Sequence, residues 1–149
     1  MRQWPRLCAV VFLLAAFASS AFPADEKEKA ATDAAAQWLA LVDSGQYGES
    51  WFQAATTFRN AVSRNAVSKE QWKNAIDSTR APMGKVVSGQ FKSATYTTKV
   101  PNASAGEDVI IQYATSYERV PHIVETVTPM LEKDGKWKVS GYYVKRSGG

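Results

Sequence analysis

Groups able to do chemistry are what this 149-residue chain has least of. It contains one cysteine, Cys8, and one histidine, His122. With Cys8 near the N-terminus, the rest of the chain has neither a disulfide framework nor a cysteine–histidine metal cluster open to it. Neither a Gly-x-Ser-x-Gly elbow nor a glycine-rich phosphate loop occurs. A serine–histidine–aspartate triad would have to recruit His122, which follows Arg119-Val120-Pro121 at a strand start, a rim position rather than a pocket. No close spacing of carboxylates suggests a paired acid site. Charge of one sign is scarce as well: eighteen Lys and Arg against fourteen Asp and Glu give a net +4, with the basic residues scattered. That balance is too mild for a nucleic-acid surface. No catalytic residue, metal, cofactor or nucleic-acid partner is therefore assigned.

Long apolar runs are also missing, with one exception. Arg2 and Arg6 precede an unbroken apolar stretch over residues 7–18, and Ser19-Ser20-Ala21 supplies small residues after it. The run is roughly a dozen residues, against the ~20 that a membrane-spanning helix needs. It reads as a secretory signal cleaved after Ala21, because a cut after Ala24 would place bulky Phe22 three residues before the scissile bond. Residues 1–21 are thus the signal, 22–29 a charged leader and 30–146 a single domain. The product is expected to be exported, periplasmic or secreted, with no stable membrane anchor. Cys8 lies too early, with the apolar run after it, to carry a lipid. Without Arg2 and Arg6, sixteen basic residues face fourteen acidic ones, a net +2.

What is present is a clear change of period. Residues 30–42 are alanine-rich, with Ala31, Ala34, Ala35, Trp38, Leu41 and Val42 at helical spacing, and Gly45 suits the left-handed residue beyond the helix end. A second helical stretch covers about 47–55, continuing irregularly through Phe58 and Val62. A third starts at Ser68, where Gln71 completes a capping box and Val67 and Trp72 flank it as a hydrophobic staple. Its stripe is Trp72, Ala75, Ile76 and Thr79, closed by Pro82 and Gly84. From Lys85 the pattern alternates. Strands are expected at 86–96, at about 109–118, at 122–131 and at 137–145, with a hairpin at Asp134-Gly135. Pro129 cannot donate to a ladder and marks an edge or a bulge. Helices followed by an antiparallel meander define an α+β fold: N-terminal helices packed on a sheet of about four strands.

Several short motifs recur in a recognisable order. They are Trp38-Leu39, Asp43-Ser44-Gly45-Gln46-Tyr47, Ser50-Trp51, Arg80-Ala81-Pro82-Met83-Gly84, Glu125-Thr126-Val127-Thr128, and the run from Asp134-Gly135-Lys136-Trp137 to Gly141-Tyr142-Tyr143. Together they resemble the exported bacterial "domain of unknown function 4019" family over nearly the whole chain after the signal. The layout is also similar to the cystatin-like or nuclear-transport-factor-two-like architecture, a curved sheet wrapped round a long helix. That resemblance implies fold and location. It brings no activity, because this architecture hosts enzymes, ligand pockets and dimerising modules alike.

Glu125 is the most informative polar residue. Regular alternation puts Ile123, Glu125, Val127 and Leu131 on the apolar face of the third strand and Val124, Thr126 and Thr128 on the other. A core-facing carboxylate needs a partner, and Arg80, at the junction of third helix and sheet, is the plausible one. Two readings stay open: a structural ion pair tying helix to sheet, or a general base in a pocket. Trp38, Trp51, Trp72, Tyr113, Trp137 and Tyr143 fall at core-like positions, some of them able to line a cleft between first helix and sheet. Trp38, Arg80, Tyr113 and Glu125 form the candidate ligand-binding set. Tyr142, Val144, Val124 and the threonines are assigned to an exposed sheet face suited to a homodimer. The leading functional reading is a non-enzymatic module binding a small molecule or a protein. Its rivals are an isomerase or hydratase using Glu125 as base, and a structural homodimer.

Overall fold

The computed structural model describes residues 23–60, 66–101, 103 and 105–148. The apolar N-terminal run, the expected cleavage after Ala21 and the expected end of the second helical stretch at Val62 fall outside these residues. Among the described residues four α-helices precede four strands: α1 (Ala24–Asp43), α2 (Tyr47–Gln53), α3 (Thr56–Arg59), α4 (Lys69–Arg80), then β1 (Val86–Thr97), β2 (Asp108–Tyr117), β3 (Ile123–Leu131) and β4 (Trp137–Arg146). The strands form one curved, unclosed antiparallel sheet in the order β1-β2-β3-β4. The α+β expectation holds, and the short α3 is the irregular continuation expected through Phe58.

Ala31, Ala35, Trp38 and Val42, spaced by four, three and four, are the buried stripe of α1. The two alanines are wholly enclosed, so the helix can lie close on the sheet against Val109, Ile111, Val127 and Val139. The end of α1 is a Schellman motif. Gly45, at φ +77°, donates to the Val42 carbonyl and Gln46 donates to that of Leu41. At the start of α4 both halves of the capping box are formed: Gln71 N–H donates to Ser68 Oγ at 3.1 Å, and Ser68 N–H to Gln71 Oε1 at 2.9 Å.

The face assignment of β3 is as expected: Ile123, Glu125 and Val127 are buried towards the helices. β4 is different. Thr128 opposes Gly141 but Pro129 opposes Val139, so Ser140 is an extra residue on β4. Pro129 has no N–H to offer the ladder, and the bulge absorbs the defect. One inserted residue exchanges the two faces of everything after it. Trp137 and Val139 face the helices before the bulge, and Tyr142 and Val144 face them after it. The assignment of Tyr142 and Val144 to the exposed face is therefore corrected, as is the core placement of Tyr143, which is 75% exposed.

α1 also begins earlier than the sequence suggests, taking in the charged stretch read as a leader. Lys27 and Glu28 are half-buried. Lys27 pairs with Glu107, which also accepts from the Tyr96 hydroxyl at 2.7 Å. Glu28 accepts from the Tyr96 backbone N–H at 2.8 Å. The hydrogen bond from Lys27 holds the Glu107 carboxyl below its ordinary 4.5, and Glu107 in turn holds the Lys27 ammonium above 10.5. A depressed acid stabilises the fold above its unfolded value, and that contribution is lost as pH falls through the folded value. A raised amine stabilises below its unfolded value and loses its effect as pH rises. The pair therefore acts between about pH 4.5 and 10.5. Urea midpoints measured from pH 6 to pH 3 are expected to fall less steeply in Lys27→Met than in the unmodified protein, and equal slopes would contradict the assignment.

Candidate functional site

The stripe that buries α4 runs Trp72, Ile76 and then Arg80, four residues apart each time. Its last member is a cation, which suits a helix C-terminus and carries a long apolar stem through the core. Immediately after it, Ala81–Met83 form a 3-10 turn that ends at Gly84. A Cβ at Gly84 would lie 2.6 Å from Glu118 Oε2, and its φ is +80°, so both space and backbone call for glycine. Glu118 accepts from Lys85 N–H, and the Arg119 guanidinium donates to the Pro82 carbonyl. This clasp between the turn and the β2–β3 loop fixes where Arg80 leaves its helix.

Arg80 is 5% exposed and Glu125 1%. The guanidinium donates through Nη2 to Glu125 Oε2 at 3.0 Å and to the Tyr142 hydroxyl oxygen at 2.9 Å, and through Nη1 to Asp43 Oδ1 at 2.6 Å. The Tyr142 hydroxyl itself donates to Glu125. One cation thus joins the last residue of α1, the last residue of α4, the centre of β3 and the inward face of β4. The guanidinium also lies over the Tyr117 and Tyr142 rings, at 5.4 and 5.8 Å. Tyr113 stands directly opposite Glu125 on β2.

Electrostatics keep the phenols neutral. Burial first, and the Glu125 carboxylate second, push the Tyr113, Tyr117 and Tyr142 hydroxyls above their ordinary value. Burial alone would weaken Arg80 as a base, but Tyr142 and Glu125 outweigh it and its pKa is raised. With Tyr142 un-ionised, the charges that hold Arg80 at neutral pH are those of Glu125 and Asp43. Among the described residues, the buried Tyr117 and Tyr113 hydroxyls and Arg80 Nε have no protein hydrogen-bond partner. The Tyr117 oxygen feels Glu125 and Tyr142 without making a well-formed bond to either.

An aromatic wall closes the other side. Tyr142 packs edge-on to Trp38 at 5.5 Å and to Trp72 at 6.2 Å, and Phe58 meets Trp72 at 5.2 Å. Both indole N–H groups are satisfied by one enclosed serine: Trp38 donates to the Ser50 carbonyl at 2.8 Å and Trp72 to Ser50 Oγ at 2.9 Å.

The four residues singled out from sequence are thus neighbours. Arg80 and Glu125 touch, Tyr113 flanks Glu125, and Trp38 reaches the cluster through Tyr142. Sequence reasoning missed Asp43, Ser50 and Tyr142. Asp43 looked like a helix-end residue, and regular alternation pointed Tyr142 outward, whereas the bulge, whose one visible signal was Pro129, turns it inward.

Space lies elsewhere. A cleft of about 390 Å³ opens between α1, α2 and β4, lined by Trp38, Gln37, Leu41, Gln53, Trp137 and Lys136 among others. Two smaller clefts, about 300 and 210 Å³, lie on either side of β4. Arg80, Tyr113 and Glu125 line none of the three. Among the described residues, no group of three or more His, Cys, Asp or Glu is placed to hold a metal ion, and no helix is long and apolar enough to cross a membrane.

The fold and this cluster define a small α+β protein of the helix-on-open-sheet kind. A family model described as "Protein of unknown function (DUF4019)" matches residues 34–142, and the chain belongs to that family. The matched span includes Trp38, Asp43, Arg80, Glu125 and, as its last residue, Tyr142. Among curated proteins, none matches the chain.

Removing one member of a buried pair leaves an uncompensated charge, at a cost of about 3–5 kcal/mol, whereas replacing both members by apolar groups is often nearly neutral. Glu125→Leu is expected to lower the urea unfolding free energy at pH 7 by about 3 kcal/mol, softened by Asp43. The double variant Glu125→Leu/Arg80→Met should recover most of it. Tyr142→Phe should cost about 1–3 kcal/mol. A Glu125→Leu protein as stable as the parent would contradict the assignment.

Proposed function

We propose that the protein is an exported, non-catalytic binding module that takes a small amphipathic molecule in the cleft between α1, α2 and β4. The observation that carries this reading is the contrast between Glu125 and that cleft. The carboxylate best suited to act as a general base is 1% exposed and committed to Arg80 and Tyr142. A base needs hydrogen-bond reach to a substrate proton, and none of the three clefts reaches Glu125. The 390 Å³ cleft, by contrast, falls within the ~300–1,000 Å³ usual for small-ligand sites. Its apolar lining comes from Trp38, Leu41 and Trp137, and its polar groups from Gln37, Gln53 and Lys136. Because the Trp38 N–H is already spent on Ser50, Trp38 offers a ligand its ring only. The isomerase or hydratase reading lacks this kind of support, since it needs room beside Glu125.

Protein-detected NMR with a fragment library tests the binding reading. Hits should perturb the Trp38 and Trp137 indole signals and leave Glu125 and Tyr113 unmoved. Ala34→Phe, which fills the cleft from α1, should weaken them at least tenfold. A library with no hits, or hits indifferent to Ala34→Phe, would overturn the assignment.

Export rests on the basic start, the short apolar run and the small residues before Phe22. Expression of the full chain in a bacterium, followed by N-terminal sequencing, should give a product starting at Phe22. A product that keeps Arg2 and Arg6 would contradict it.

A further inference from the structure

β4 is an edge strand, and its two halves differ. At Val139 the edge is already used by the chain itself, where Ala55 N–H donates to the Val139 carbonyl at 2.8 Å. From Gly141 to Arg146 the register against β3 runs unbroken, Thr128↔Gly141 through Ile123↔Arg146. Among the described residues, no backbone partner beyond β3 is seen for these six residues. The opposite edge, β1, is interrupted by register shifts between Val86 and Ser88 and between Phe91 and Ser93. Such irregularities blunt an edge against added strands.

Clefts flank the open half of β4 on both faces. The outer one, about 300 Å³, is bounded by Thr126, Thr128, Gly141 and Lys145. The inner one, about 210 Å³, is walled by Trp72, Ala75, Ile76 and Thr79, one face of α4. Both share Tyr142 and Tyr143. A strand laid along β4 would send successive side chains to alternate faces, one set into each cleft.

Charge selects the occupant. From Lys136 to Arg146 the strand region carries Lys136, Lys138, Lys145 and Arg146 and no acid. Lys138 is paired with Glu132 at 3.6 Å. Antiparallel pairing of 141–146 with the same segment of a second copy would set Lys145 opposite Tyr142 and Arg146 opposite Gly141, with no acid for either cation. Opposite charges across a strand pair are stabilising, and an acidic strand supplies them where a second copy does not.

We propose that residues 141–146 of β4 are a docking edge for an acidic, extended segment of a partner protein, which adds as a fifth strand. Backbone hydrogen bonds give such a complex its affinity, and the two clefts give side-chain selectivity. This surface is distinct from the α1–α2–β4 cleft.

The probe is an array of octapeptides in which Glu or Asp alternates with Val, Ile, Thr or Tyr, beside the same array with Lys in place of the acids. Acidic members should bind the purified protein at least tenfold more tightly than their Lys counterparts. A bound acidic peptide should slow amide exchange within 141–146 at least tenfold and leave 87–93 unchanged. Lys145→Glu/Arg146→Glu, at exposed positions, should abolish the acidic preference, and Ala75→Phe, which fills the inner cleft, should weaken binding at least tenfold. Equal or no binding by the two arrays would overturn the proposal, as would protection at β1. A protein that sediments as a dimer, with 141–146 already protected, would assign the edge to a second copy and overturn it too.

Discussion

One guanidinium decides how the layers of this protein meet. Arg80 ends α4, receives Asp43 from the end of α1, and grips Glu125 and Tyr142 from two neighbouring strands. Packing of apolar faces is non-directional, so by itself it would let the helical layer slide over the sheet. Charge-assisted hydrogen bonds at 2.6–3.0 Å have a fixed geometry, and these four residues meet in one arrangement. The Schellman end of α1, the capping box of α4 and the Gly84 clasp all serve to deliver two helix termini to the same place.

That constraint separates stability from function in an unusual way. A buried acid beside tyrosines and an arginine has the composition of a catalytic site, yet its geometry closes it. Tyr142 seals the carboxylate from one side, and Trp38, Trp72 and Phe58 stack behind it. Three clefts open where the network stops, around both faces and both halves of β4. The strand that supplies the lid of the sealed cluster also borders each of the three clefts, so open space and architecture share one element.

Much of this was legible in the residues. The capping box at Ser68 and Gln71, the glycine after α1 and the inward direction of Glu125 each follow from local rules whose physics is complete within a few residues. The pairing of Arg80 with Glu125 was legible as a plausible one, since a core-facing carboxylate needs a partner and the α4–sheet junction offers a cation. Tyr142 was not legible, because a single bulged residue at Ser140 reverses the alternation and only the proline across the ladder hints at it. Asp43 and Ser50 were not legible either. Their roles depend on where α1 and α2 cross, which is a tertiary fact. The start of α1 at Ala24 was hidden for a similar reason: Lys27 and Glu28 are held by Glu107 and Tyr96, some seventy to eighty positions away.

The central claim is that the Arg80 cluster is a closed latch rather than a site that opens to admit a substrate. Native-state hydrogen exchange at increasing urea tests it most directly. The account predicts that amides at the end of α1, in the last turn of α4 and at the centres of β3 and β4 exchange through one common opening, the global unfolding of the domain. A last turn of α4 that exchanges through its own low-energy opening, while β3 and β4 stay protected, would contradict it.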